Sequence, residues 1–160
     1  MTEDYEIYSI RDYPQYKDAG INYLAERFGN GGFKDFFAAS INESIFTRET
    51  LPRYYLMIFN DKIIGSYALV KNDFIIREDL YPWITSVYIE GNQRGKALGS
   101  KLLAHGRKEA ARLGFSKVYL ATDHIQYYEK YGFREIGLSS FTWGPPSVGR
   151  PTKIYEHDAM

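Results

Sequence analysis

The sequence predicts an α/β (α+β) fold organised as one domain over residues 1–160, and three observations carry that prediction. Two apolar runs of strand length, "YYLMIF" (Tyr54 to Phe59) and "KIIGSYALV" (Lys62 to Val70), are separated only by Asn60-Asp61, a hairpin signal. Later strand-like runs alternate with helix-period segments, which calls for crossovers between parallel strands. No linker, repeat or low-complexity segment divides the chain. Hairpins and crossovers in one chain imply a mixed sheet, here of about six to seven strands flanked by about four helices.

Each element has its own signal. "YEIYSI" (Tyr5 to Ile10) alternates and is rich in β-formers, so it begins the chain as a strand. From about Tyr16 to Phe28, the positions Ile21, Leu24, Ala25 and Phe28 follow a helical period, and "GNGG" (Gly29 to Gly32) ends it. "FKDFFAASINESIF" is a second helix with Phe33, Phe36, Phe37 and Ile41 on one side. After the hairpin and the polar stretch "KNDFIIREDLYP" comes a long strand, "WITSVYIE" (Trp83 to Glu90). A glycine-punctuated turn then enters a helix that runs to about Leu113. Its residues Leu98, Leu102, Leu103, Gly106, Ala110 and Leu113 can face a sheet, while Lys101, His105, Lys108 and Arg112 fall opposite. "KVYLAT" (Lys117 to Thr122), the short helix "HIQYYEKY", "FREIGL" and, after a Gly/Pro-rich loop, "PTKIYEHD" complete the order.

Composition excludes several classes of chemistry. With no cysteine, disulfides, thiolate zinc sites and a cysteine nucleophile are all ruled out. Twenty basic and twenty acidic residues cancel, so no bulk field favours nucleic acid or an anionic membrane. Lys101, Lys108 and Arg112 form only a modest basic helix face. The acidic start "MTEDYEIYSI" lacks a signal peptide's features, and no apolar run approaches the roughly 20 residues of a spanning helix. A cytoplasmic location without membrane or nucleic-acid partners is the expectation, as is the absence of a metal site.

The turn after Glu90 bears on function. In "IEGNQRGKALGSKLL", Gly95, Ala97 and Gly99 alternate with Arg94, Lys96 and Leu98, and Ser100 comes next. A helix start offers backbone N–H groups and the positive end of a dipole, and small residues let an anion approach them. The same pattern also serves as a plain strand-to-helix turn. Counting excludes a Walker A loop, because "GNQRGKA" has one residue too few before Gly-Lys and then Ala; the spacing G-x-A-x-G also fails the dinucleotide fingerprint.

"VYIEGNQRGKALGSKLL" resembles the coenzyme A-binding motif of the GNAT N-acetyltransferase superfamily, a strand followed by R/Q-x-x-G-x-G/A at a helix start. Arg94 and Gly99 match its ends, and Ala97 stands where glycine is usual. "YYEKYGF" (Tyr127 to Phe133) resembles that superfamily's second motif, and the element order agrees over nearly the whole chain. The resemblance implies a GNAT-like fold with splayed central parallel strands and acetyl-CoA as co-substrate. It implies a bulged motif strand in which Val87, Tyr88 and Ile89 offer main-chain groups to the pantetheine arm. The pyrophosphate would lie on Arg94, Gly95, Lys96, Ala97, Leu98, Gly99 and Ser100. The family transfers an acetyl group to a primary amine by direct attack, and relatives are often homodimers.

That reaction needs a deprotonated amine, because an alkylammonium of pKa about 10.4 costs about 4–5 kcal/mol to deprotonate at pH 7. The resemblance makes Tyr128 the general acid facing the sulfur, with packing on a short helix as the alternative role; Tyr127 is expected in the core. Trp83 occupies the position where some relatives carry a glutamate base, and Glu90 is expected to be solvated. His124, in "TDH" (Thr122 to His124), could act as base or water relay, although Asp123 as a helix cap beside a surface His124 explains the motif as well. For the acceptor, a small-molecule amine is expected against Phe33, Phe37, Trp83 and Asp123, with Glu78 and Asp79 available to a cation. Core packing or a solvated loop would explain the same residues. A protein or peptide acetyltransferase and a CoA-binding module without turnover remain the alternatives.

Overall fold

The computed structural model describes residues 4–28, 33–122, 127–142 and 149–160. Its elements keep the predicted order: β1 (Glu6–Ser9), α1 (Lys17–Phe28), α2 (Phe33–Phe46), β2 (Arg53–Phe59), β3 (Lys62–Val70), β4 (Trp83–Ile89), α3 (Leu98–Arg112), β5 (Lys117–Thr122), β6 (Arg134–Ser140) and β7 (Pro151–Asp158). Single 3-10 turns precede α1 (Pro14–Tyr16), succeed β4 (Gly91–Gln93) and precede β6 (Tyr128–Tyr131). The strands form a seven-stranded mixed sheet in the order β1-β2-β3-β4-β5-β7-β6. The α/β prediction holds. The fourth helix is represented among the described residues by the 3-10 turn alone.

The described chain clusters into two compact units, Met1–Ala68 with Ser86–Leu102, and Leu69–Thr85 with Leu103–Met160. In the first, Asn60 and Asp61 both take left-handed backbone angles (φ 51° and 62°), the geometry a two-residue hairpin turn requires. The hairpin's Tyr55 and Tyr67 rings stack at 4.5 Å between centroids, and both are buried. β1 pairs antiparallel with β2, and Ile10, Leu24, Ile41, Leu56 and Met57 are at most 1% exposed. Burying each such side chain is worth roughly 1.5–3 kcal/mol, so this aliphatic set anchors the unit.

In the second unit, β7 lies between β5 and β6 and pairs antiparallel with both. β5 pairs with β7 along its whole length, and it pairs parallel with β4 at Trp83 opposite Tyr119. β4 then reaches Ser86, whose left-handed φ of 54° breaks the regular strand geometry. α3 buries Leu98, Leu102, Leu103, Gly106 and Ala110 and exposes Lys101, Lys108 and Arg112, as its apolar stripe predicts. Among the described residues no helix is long and apolar enough to cross a membrane, and no cluster of His, Asp and Glu could hold a metal.

Candidate active site

The first unit holds the glycine-punctuated loop. After Glu90 the chain makes its 3-10 turn, in which Gln93 N–H donates to the Glu90 carbonyl at 2.9 Å, and extends at Arg94. Gly95 (φ 85°) and Ala97 (φ 58°) then take left-handed angles before α3 begins at Leu98. Alternating backbone handedness of this kind turns successive N–H groups to one side and makes an anion nest. The Ala97 carbonyl accepts from Ser100 Oγ at 2.8 Å and Lys101 N–H at 3.4 Å, which fixes the first turn of α3. First-turn N–H groups have no acceptor within a helix, so those of Leu98, Gly99 and Ser100 are available to a ligand. Arg94, Gly95, Lys96 and Ala97 are exposed, and open space surrounds Gly95 where a Cβ would lie. Leu98 is buried and anchors the helix instead. An exposed nest with two cations at the head of a four-turn helix fits a pyrophosphate.

Glu90 is not a solvated residue. Its carboxylate accepts from Tyr23 Oη (2.8 Å), Arg27 Nε (3.0 Å) and Arg27 Nη2 (2.7 Å). The Arg27 hydrogen bonds hold the Glu90 carboxyl below its usual range, so it is a structural anion and unsuited to take a proton. Arg27 in turn stacks over Tyr23, with its guanidinium carbon 3.8 Å from the ring centroid. This cluster ties α1 to the segment that enters the loop. Phe28 and Tyr23 pack edge-on against Tyr88. The Tyr88 ring is therefore engaged, and Val87, Tyr88 and Ile89 are half-buried.

The second unit holds Tyr128. It opens the 3-10 turn that Gly132 (φ 87°) terminates, and its carbonyl accepts from Phe133 N–H at 3.2 Å. Rings of Tyr127, Phe133 and Tyr155 surround it at 4.9, 6.0 and 6.3 Å. Burial raises the phenol pKa, which keeps the proton on at neutral pH as a donor must. Tyr127, expected in the core, is 40% exposed where it caps the 3-10 turn.

The acceptor candidates scatter. Phe37 and Trp83 are wholly buried, at 4% and 0% exposure, and pack as core residues. Phe33 stands at the start of α2 with its ring 6.3 Å from those of Phe36 and Phe37. Glu78 is exposed, and Asp79 is paired with Arg77 (2.8 and 2.9 Å), which holds its carboxyl at about 2. Asp123 and His124 lie outside the described residues.

One carboxylate in this unit escaped the sequence reading. Asp73 is half-buried in the segment between β3 and β4, and its Oδ1 accepts from Thr85 Oγ1 at 2.9 Å. Burial pushes its carboxyl up to about 7, against the smaller lowering effect of the Thr85 hydrogen bond. The only signal in the sequence was the turn-forming pair Asn72-Asp73 inside a polar stretch, which says nothing about burial.

Comparison with known proteins bears on the fold and on the family. Curated proteins give no match to the sequence. Among solved structures, the aminoglycoside 6'-N-acetyltransferase from Enterococcus faecium superposes with a TM-score of 0.70 at 16% identity, covering 97% of each chain. An IAA acetyltransferase from Bacillus cereus gives 0.66 at 19% identity, covering 97% of this chain and 99% of its own. A GNAT family acetyltransferase from Elizabethkingia anophelis with acetyl-CoA bound gives 0.66 at 19%, covering 98% and 99%. At these identities the likeness establishes the fold. The sequence itself matches the family model for acetyltransferase (GNAT) proteins over residues 9–133, from the end of β1 through the Tyr128 turn, and the chain therefore belongs to that family.

Proposed function

We propose that this protein transfers an acetyl group from acetyl-CoA to a primary amine of a small molecule, by direct attack of the amine on the thioester. The observation that carries this reading is the exposed nest at Arg94–Ser100, built on left-handed Gly95 and Ala97 at the head of α3 and preceded by β4 with its left-handed Ser86. A structural neighbour solved with acetyl-CoA, and others named for acetylating aminoglycosides or IAA, support both the co-substrate and a small acceptor.

Acetyl-CoA supplies an activated acyl group on a thiol of pKa about 8.5, a tolerable leaving group. The chain's own residues supply the rest. N–H groups of Leu98, Gly99 and Ser100, with the Arg94 and Lys96 cations, hold the pyrophosphate. The Val87 amide, placed just after the left-handed Ser86, is the donor for the carbonyl oxygen as negative charge develops there. Tyr128, kept protonated by its apolar surroundings, gives its proton to the departing sulfur.

The test is thiol release from acetyl-CoA over a panel of polyamines, aminoglycosides, amino acids, aromatic amines and short peptides. Turnover is expected on a small-molecule class. In Tyr128→Phe, kcat should fall roughly 100-fold, the lower end for a lost general acid, while calorimetric acetyl-CoA affinity is retained. Acetyl-CoA binding without turnover on any amine would point to a binding module, and turnover on peptides alone would point to a protein acetyltransferase.

A further inference from the structure

The family match leaves the proton acceptor of the reaction unassigned, and Glu90 is unfit for that role. Asp73 has the opposite surroundings, and the segment that carries it is built to hold it still. Asn72 closes the turn from both sides, its Nδ2 donating to the Ile75 carbonyl at 2.8 Å and its Oδ1 accepting from Ile75 N–H at 3.1 Å. Phe74, next to Asp73, sits at φ 57°, a left-handed conformation that a bulky residue adopts only when its surroundings impose it. The surroundings here are the end of β6 and the two residues beyond it. Thr142 N–H donates to the Phe74 carbonyl at 2.7 Å, Ile75 bridges to Phe141, and Ile76 N–H donates to the Ser140 carbonyl at 3.2 Å. An imposed, well-bonded turn that presents one half-buried carboxylate is the arrangement of a preorganised site.

No cation neutralises that carboxylate among the described residues. On its own segment, Lys71 lies 5.9 Å from the centroid of the Tyr81 ring and Arg77 is paired with Asp79. β4 faces it with Thr85, and the paired stretch Ser140, Phe141 and Thr142 carries no charge. Arg150 lies over the Phe141 ring, 5.7 Å from its centroid. An incoming cation would relieve the desolvation that burial imposes on the Asp73 carboxylate. Thr85, whose hydroxyl donates to Asp73, stands on β4 two positions before Val87.

We propose that Asp73, oriented by Thr85, is the binding and deprotonation site for the ammonium group of the acceptor. The proposal rests on the acetyl-transfer reading and supplies the base that reading lacks. Asp73 Oδ2 pairs with the incoming R–NH3+, and one proton passes to the carboxylate. The freed amine nitrogen bonds to the thioester carbonyl carbon. As the C–S bond breaks, Tyr128 protonates the sulfur and recovers its proton from the same nitrogen. Asp73 then releases its proton to water, so the sum is one amide, one thiol and one H+. A group that titrates near neutrality suits this cycle, since a substantial share of it is ionised near pH 7 and it still accepts a proton.

Two readouts test it, with tyramine, spermidine and kanamycin as probes. In Asp73→Asn, kcat/KM for the amine should fall about 100-fold or more with acetyl-CoA affinity unchanged, and the limb of the pH profile near 7 should vanish. Asp73→Glu should restore part of the rate. In Thr85→Val the limb should move to higher pH, because the hydrogen bond that favours the anion is gone. A kcat/KM in Asp73→Asn within about twofold of native overturns the proposal while leaving the acetyltransferase reading intact. If the native protein acetylates none of the three probes, the Asp73 carboxyl 13C titration decides the proposal by itself. A probe that lowers the Asp73 pKa supports it, and a titration unmoved by all three overturns it.

Discussion

Glu90 accepts hydrogen bonds from Arg27 and Tyr23 and is held as an anion, whereas Asp73 receives one hydroxyl and is pushed towards neutrality by burial. Carboxyls driven apart in this way suit different tasks: Glu90 is held in a structural ion pair, and Asp73 is the base proposed above. The two shifts act on stability with opposite signs. Glu90's pKa is lowered in the folded state, so its contribution is present above the unfolded value and is lost as pH falls through the folded one. Arg27→Ala should cost about 1.5–3 kcal/mol in urea unfolding at pH 7, and much less under acid conditions where Glu90 is protonated. Asp73's pKa is raised, so its folding penalty is absent below the unfolded pKa of about 3.8 and complete above about 7. Asp73→Asn, which still accepts from Thr85, should therefore stabilise the protein at pH 8 by about 2–4 kcal/mol and hardly at all at pH 4. A structural aspartate would give the reverse. At the loop, Ala97 bears a left-handed angle that glycine adopts freely, so Ala97→Gly should raise stability by about 1 kcal/mol in thermal unfolding. Both acids lie in plain view in the sequence. Nothing there separates them, because burial and hydrogen-bond partners are set by tertiary neighbours such as Arg27 and Thr85.

Most elements could be read from local signals. Asn60-Asp61 marked the hairpin, the leucine stripe marked α3, and "KVYLAT" and "PTKIYEHD" coincide with β5 and β7. What local pattern misses is deviation from regularity. The break at Ser86 is one such deviation, since a non-glycine residue at φ 54° leaves no trace in hydropathy. The expected helix "HIQYYEKY" is described only from residue 127, where it is a 3-10 turn closed by Gly132. That glycine matters twice: its φ is 87°, and a Cβ there would lie 2.6 Å from His157 Nε2, which itself pairs with Arg107 at 2.8 Å. Gly132→Ala should destabilise by roughly 1–2 kcal/mol, from the left-handed angle and the displaced ring, and should lower kcat by misplacing Tyr128. Unfolding and initial-rate measurements on one preparation would show both effects.

On the scale of the molecule, sequence pattern predicted a mixed sheet without its strand order. The placement of β7 between β5 and β6 depends on long-range pairing, such as Leu120 with Tyr155 and Arg134 with Glu156, that no window of sequence contains. The nest was legible because its chemistry is contiguous, running from Arg94 to Ser100. The Asp73 site was not, because it is assembled from the β3–β4 segment, β4 and the residues after β6. For the whole enzyme, kcat/KM should rise with pH through about 7 as Asp73 ionises. A flat profile across that window would remove Asp73 from the rate law. The most direct measurement is the mass of each amine after incubation with the protein and acetyl-CoA, with free thiol counted in the same sample. One added acetyl group per thiol released, on a small-molecule amine and only with the protein present, is the predicted result. Thiol release without an acetylated amine, or no acetyl-CoA binding at all, would contradict the account.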